Sequence, residues 1–160
     1  YMVGTEYEQA GMIKHGAKMI QAAANIRVAK LTFYVGASYG AGNYGMAGLG
    51  YEPDFLFSWP AALTGVMGGE SAAGTMETVA LASAKRRGVE PDMEALAKQR
   101  AAIVEIFSSQ EDAFYTSGRM LDNGIIDPRD TRNVLGFLLG TIWERKHRTL
   151  QPNAFGVGRM

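Results

Sequence analysis

Residues 30–50, KLTFYVGASYGAGNYGMAGLG, decide the fold. An apolar, β-branched and aromatic run from Leu31 to Val35 reads as a strand, and it empties into a turn of Gly, Ala and Ser. A strand that ends this way exposes backbone N–H groups that no side chain covers. If a helix follows, those groups sit at its positive end and favour negative charge. Three motifs can be read from the same residues. Gly40-Ala41-Gly42-Asn43-Tyr44-Gly45 matches GxGxxG. A dinucleotide site also needs a full helix next and an acidic residue about 20 positions on. Here Gly48, Gly50 and Pro53 cut the helix short, and Glu52 and Asp54 arrive too early. Gly36-Ala37-Ser38-Tyr39-Gly40 matches the GxSxG nucleophile elbow. Its downstream histidine would have to be His147, inside the basic run ERKHR, where a solvated surface side chain is the plainer reading. His15 falls on the polar side of the first helix and reads the same way. The third reading uses main-chain donors alone: the Gly-Ala turn, joined by a second break at Met67-Gly68-Gly69-Glu70, forms an oxyanion site. Against all three stands simple packing, since glycines permit close helix-on-strand approach.

Working outward, Thr5 and Glu8 make a capping-box pattern, and Ile13, Ala17, Ile20 and Ala24 recur on one face, predicting a helix over 5–24. FLFSW (55–59) and LTGVM (63–67) predict a second and a third strand. Gly68-Gly69 opens a helix over about 70–87 with Ala73, Met76, Ala80 and Ala84 inward, ended by Gly88 and Pro91. Asp92 caps a helix over about 93–110 carrying Leu96, Ile103 and Phe107. Residues 111–120 read as a short helix and 124–126 as a short strand. Asp127-Pro128 starts a last helix to about 147, with Val134, Leu135, Leu138 and Ile142 inward. Strands alternating with helices define the α/β class.

Composition narrows the function. With 16 Lys+Arg against 16 Asp+Glu the formal net charge is zero, which gives no electrostatic footprint for nucleic acid. There is no cysteine, so disulfides and thiolate metal ligands are excluded. No apolar run reaches the ~18 residues of a membrane span, so no membrane partner is expected. The glycines concentrate between residues 36 and 74 and mark tight turns rather than a linker. The start YMVGTEYEQAG lacks the basic and apolar blocks of a signal peptide. Opening on Tyr1 in mid-pattern, the chain reads as part of a longer protein.

The strings GASYGAGNYGMAG (36–48), PDFLFSWP (53–60) and VMGGESAAG (66–74) together resemble the carboxyltransferase subunit of biotin-dependent acyl-CoA carboxylases. GRMLDNGIIDPRDTRNVLG (118–136) and FGVGRM (155–160) are similar to the same family's late segments. GAGNYGM and the terminal FG-x-x-RM point to the branch acting on 3-methylcrotonyl-CoA or geranyl-CoA. The propionyl- and acetyl-CoA branch typically has GGAYDVM at the turn. Ala47 and Leu49-Gly50 depart from the Cys-Gly-Arg-Ala-type run usual after that turn, and Arg148 to Pro152 has no clear counterpart.

The resemblance implies a crotonase-like (ClpP/crotonase) α/β fold, with residues 1–160 forming the C-terminal carboxyltransferase subdomain and the N-terminal half absent. It implies transfer of a carboxyl group from carboxybiotin to an acyl-CoA. Ala41 and Gly42 would offer backbone N–H groups to the biotin enolate, with Gly40, Tyr39, Gly68 and Gly69 contributing to the biotin site. Phe33, Tyr44 and Trp59 are further candidate walls. No metal is expected. The implied partners are a biotin carboxylase and biotin carboxyl carrier subunit and further copies of the subunit, in a hexamer. The implied location is the bacterial cytoplasm or the mitochondrial matrix. Alternatives are a propionyl- or acetyl-CoA carboxyltransferase, a crotonase-type hydratase or isomerase with Glu70 as its carboxylate, and a non-catalytic assembly module.

Overall fold

The computed structural model describes residues 4–150, so FGVGRM (155–160) lies outside the described residues. The chain divides into two units, Tyr1–Asp127 and Pro128–Met160.

The first unit opens with α1 (Thr5–Gln9) and α2 (Met12–Asn25). The single helix predicted over 5–24 is broken at Gly11, which sits at φ +95°, a left-handed conformation that a continuing helix cannot use. Gly4, not Thr5, caps α1, and no side chain bonds the cap. The predicted apolar face of α2 is not buried in this chain; Ile13 is 70% exposed.

The predicted strand near 30–35 is β1 (Leu31–Tyr34), and a strand the sequence reading missed, β2 (Ala37–Tyr39), follows it. Then come α3 (Gly40–Gly45), a 3-10 turn over Leu49–Tyr51, β3 (Phe55–Ser58) and β4 (Leu63–Gly65). β1 pairs in parallel with β3, from Leu31 opposite Phe55 to Tyr34 opposite Ser58. β2 pairs in parallel with β4, Ala37 opposite Leu63 and Tyr39 opposite Gly65. Parallel neighbours need a crossover between them, and here α3 and the 3-10 turn lie in it. β1 and β3 alternate half-buried and buried positions, so Tyr34, Leu56 and Ser58 point inward. Tyr34, Leu56, Ala62 and Ala113 form the core, with Ile125 packed against it.

Residues 124–126 do not form the expected strand; Ile125 makes one isolated parallel bridge to Ser58. The segment nevertheless completes the edge of β3. Asn123 Oδ1 accepts from the Leu56 N–H at 2.8 Å, and Ser58 Oγ donates to Asp122 Oδ2.

α4 (Gly69–Arg87) and α5 (Met93–Ser108) pack on each other. Ala72, Ala73 and Ala84 are buried on α4, whereas Met76 is exposed. Small side chains let the two helices approach, and Arg100 of α5 holds Glu77 at 3.0 Å and also Glu70. Gly88 ends α4 at φ +66°, as a left-handed C-terminal glycine should. Asp92 caps α5, its carboxylate accepting from the N–H groups of Glu94 and Ala95. Asp112 does the same for α6 (Ala113–Gly118) with Phe114 and Tyr115.

In the second unit a 3-10 turn over Pro128–Asp130 leads into α7 (Thr131–His147). Leu138 is its buried residue, flanked on the same face by half-buried Val134, Leu135 and Ile142. Among the described residues no helix is long and apolar enough to cross a membrane.

Candidate active site

Gly40 makes the turn between β2 and α3. It lies at φ +49°, and a Cβ there would stand 2.8 Å from the Val66 carbonyl oxygen just beyond β4. Both the dihedral and the close approach therefore require glycine. Tyr39 is the N-cap of α3, in extended backbone, and its side chain makes no cap hydrogen bond. The amides of the first turn, Gly40, Ala41 and Gly42, begin a helix whose leading N–H groups have no intrahelical acceptor. Ala41 is exposed and Gly42 half-buried.

Beside this turn lies a cavity of about 720 Å³. Tyr34, Tyr44, Leu49, Val66, Phe107 and Leu121 supply much of its largely apolar wall. Gly40, Asn43 and Thr64 bring polar atoms of the turn and of β4 to it. Glu111 is the one carboxylate in the lining, and no Lys, Arg or His belongs to it. Ala41, Gly42, Gly68 and Gly69 are not in the lining, so α3 borders the cavity through Gly40, Asn43 and Tyr44.

Asn43 ties the turn together. Its Nδ2 lies 2.9 Å from the Tyr34 hydroxyl, 3.1 Å from Ser38 Oγ and 3.3 Å from Thr64 Oγ1. α3 is thereby bonded to β1, β2 and β4 from one side chain. Thr64 Oγ1 donates in turn to the Ser38 carbonyl at 3.0 Å. Gly48 has to be glycine because a Cβ would meet Asn43 Oδ1 at 1.8 Å. Gly50 similarly makes room for the ring of Tyr44, which would lie 2.4 Å from a Cβ there.

Tyr39 does not line the cavity. Its ring lies beside Gly65 and Gly68, and its hydroxyl donates to Glu111 Oε2 at 2.8 Å. Burial, then the hydrogen bond to Glu111 and the charge of that carboxylate, push the Tyr39 phenol up to about 12. Gly68 caps α4 without a side-chain bond, while Gly69 is buried against α5: a Cβ on it would stand 3.1 Å from the Val104 carbonyl and 3.2 Å from Phe107 Cβ. Packing of α4 on α5 thus accounts for Gly69.

Among the candidate aromatic walls, Tyr44 faces the cavity, whereas Phe33 stacks on Phe57 with centroids 6.1 Å apart. Trp59 lies outside the lining. Tyr34, Asn43, Thr64 and Glu111 are additions of the structure. Asn43 was legible as part of the GAGNYGM string; Glu111 carries no local signal, because its partner Tyr39 is 72 residues away.

The rival motifs fare as follows. Ser38 Oγ is held by Asn43, and the His147 ring is engaged by its own helix, with Nδ1 2.8 Å from the Trp143 carbonyl and the ring stacked on that indole. Six residues of α3 are too few for a dinucleotide-binding helix. Glu70 is bound to Arg100 and stands outside the cavity. Among the described residues no three His, Asp or Glu side chains gather as a metal site.

Two parallel strand pairs, with a glycine turn opening the crossover from β2 to β4 and helices packed around them, are the elements of a crotonase-like carboxyltransferase fold. The chain belongs to the carboxyl transferase domain family, whose model matches residues 1–157. It is 49% identical over its whole length to a probable biotin-dependent acyl-coenzyme A carboxylase beta2 subunit of Mycobacterium tuberculosis, covering 30% of that protein. It is 42% identical to the mitochondrial methylcrotonoyl-CoA carboxylase beta chain of Arabidopsis thaliana, covering 27% of it. The beta subunit of P. aeruginosa geranyl-CoA carboxylase superposes with a TM-score of 0.85 at 45% identity, over 100% of this chain and 30% of that one. The chain thus spans less than a third of the length of these relatives.

Proposed function

We propose that this chain is part of the C-terminal half of a carboxyltransferase subunit that moves a carboxyl group from carboxybiotin to an acyl-CoA. The observation that carries the reading is Gly40: a left-handed turn at an uncapped helix start, beside a cavity of about 720 Å³, in a chain of the carboxyl transferase family. That volume is within the usual range for a site that buries a small bicyclic group.

Biotin, brought by a carrier protein, supplies the carboxyl group. The protein's part is main-chain electrostatics. Ala41 and Gly42 would offer their backbone N–H groups to the ureido oxygen of bound biotin, and preorganised donors of this kind are worth about 3–4 kcal/mol each in a dry site. Gly40 lets the chain make that turn, Asn43 fixes α3 on the strands beneath, and Tyr39 and Gly68 close the side toward α4. The apolar walls exclude water from the reacting centre. The acyl group is a branched, α,β-unsaturated one such as 3-methylcrotonyl or geranyl, on the strength of the GAGNYGM turn and the relatives above. The partners are a biotin carboxylase with its carrier subunit and further copies of the same subunit, as a hexamer, in the bacterial cytoplasm or the mitochondrial matrix.

A second reading has one observation behind it. Glu111, and not Glu70, offers a carboxylate to the cavity, which is the group a crotonase-type hydratase or isomerase needs.

The deciding experiment is carboxyl transfer by the full-length subunit assembled with a biotinylated carrier, offered 3-methylcrotonyl-, geranyl-, propionyl- and acetyl-CoA in parallel. Biotin-dependent incorporation of bicarbonate into one of the first two is expected. Incorporation into propionyl- or acetyl-CoA instead corrects the substrate branch. Hydration of an enoyl-CoA without bicarbonate uptake establishes the second reading. No reaction from a folded, assembled complex leaves the assembly-module reading standing.

A further inference from the structure

Among the described residues none accepts the hydroxyl hydrogen of Tyr34. The residue is 6% exposed, at the end of β1, and is part of the cavity wall. Two N–H donors converge on its oxygen: Asn43 Nδ2 at 2.9 Å and the Leu49 backbone N–H at 3.3 Å. They occupy the acceptor capacity of the phenol, whose own O–H remains to donate. Among the described residues no oxygen takes that hydrogen. Asn43, its nearest polar neighbour, presents its amide nitrogen to it, and Asn43 Oδ1 is turned toward Gly48. A buried hydroxyl hydrogen is costly to leave without an acceptor, and the cavity that Tyr34 lines is where a ligand can supply one.

We propose that the Tyr34 hydroxyl donates a hydrogen bond into the cavity, to a carbonyl-type oxygen of the bound ligand. The donor is preorganised, since Asn43 and Leu49 fix the phenol oxygen and the ring is held in the core with Leu56, Ala62 and Ala113. It is a side-chain donor, distinct from the backbone amides of Ala41 and Gly42. The assignment rests on the carboxyltransferase reading, in which two such oxygens reach the site: the ureido oxygen of biotin and the thioester oxygen of the acyl-CoA.

The test is Tyr34→Phe in the full-length subunit, assembled with its biotinylated carrier and assayed beside wild type. The change deletes one oxygen and keeps the ring. A fall in kcat/KM of about 10- to 100-fold is expected, the effect of losing one oriented donor. The fall appears with one substrate varied and not with the other. Confinement to the carrier assigns the hydrogen to the ureido oxygen; confinement to the acyl-CoA assigns it to the thioester. Wild-type kinetics in the variant overturn the assignment and leave the carboxyltransferase reading intact. A lowered thermal midpoint with KM rising for both substrates together marks the hydroxyl as a structural tie only, and also overturns it. A wild-type assembly that transfers to no acyl-CoA overturns the reading itself and the assignment with it.

Discussion

Two glycines only two positions apart in the turn do different work. Gly40 is demanded by backbone geometry: φ +49°, with the Val66 carbonyl 2.8 Å from where a Cβ would be. Gly40→Ala is expected to destabilise the assembled subunit by about 2–3 kcal/mol, from the left-handed dihedral and the displaced carbonyl together. Gly42 lies inside α3 and is half-buried. There, Gly42→Val is expected to leave folding nearly intact and to abolish carboxyl transfer if the proposed role holds, because a β-branched side chain would crowd the amides proposed to face the ureido oxygen. Urea unfolding and the transfer assay on the same two variants check both halves. Full transfer by Gly42→Val would remove Ala41 and Gly42 from the mechanism. The local string GAGNYG was enough to locate the turn. It was silent on the partners of Asn43, three hydroxyls that come from β1, β2 and β4.

At the scale of elements, the second glycine pair separates in the same way. Gly68 is the N-cap of α4, and the atoms nearest to a Cβ there belong to Tyr39, at ordinary contact distance. Gly69 is a contact point between helices. Gly69→Val is expected to cost about 1–3 kcal/mol by overpacking α4 against Val104 and Phe107 of α5, while KM values change little. Thermal unfolding of the assembled subunit alongside steady-state kinetics reads both; an unchanged midpoint with lost transfer would return Gly69 to the site. Element boundaries were readable wherever a local signal set them: Gly88 for the end of α4, Asp92 for the start of α5. They were misread where a tertiary partner decided. β2 is a strand because β4 pairs with it, and 124–126 is no strand because its pairing with β3 stops at a single bridge, Ile125 to Ser58.

For the molecule as a whole, the Tyr39–Glu111 hydrogen bond joins the glycine turn to the segment that follows α5. Its phenol is raised from 10.0 to about 12. The neutral form is therefore favoured in the folded state. The stabilisation is complete below the unfolded value of 10.0 and is lost as pH climbs through about 12. Tyr39→Phe is expected to flatten the alkaline decline of unfolding free energy across that window, and tyrosinate absorbance should show one fewer late-titrating phenol. An unchanged alkaline profile would sever this link.

The sequence by itself determined the α/β class, the position of the glycine turn after a strand, the two capped helices, and the family likeness. All of these are written in short windows, where backbone freedom, capping and periodicity act locally. Only the tertiary structure decided which polar groups meet beside the turn. Parallel pairing sets Thr64 beside Ser38, the Asn43 amide joins Thr64 to Tyr34, and the Thr64 N–H donates to the Glu111 carbonyl; these residues lie far apart in the chain, and no local pattern encodes such a meeting. The same holds for α2, whose apolar periodicity is plain in the sequence. Periodicity specifies a face; it takes a packed neighbour to bury it, and in this chain Ile13 has none that covers it.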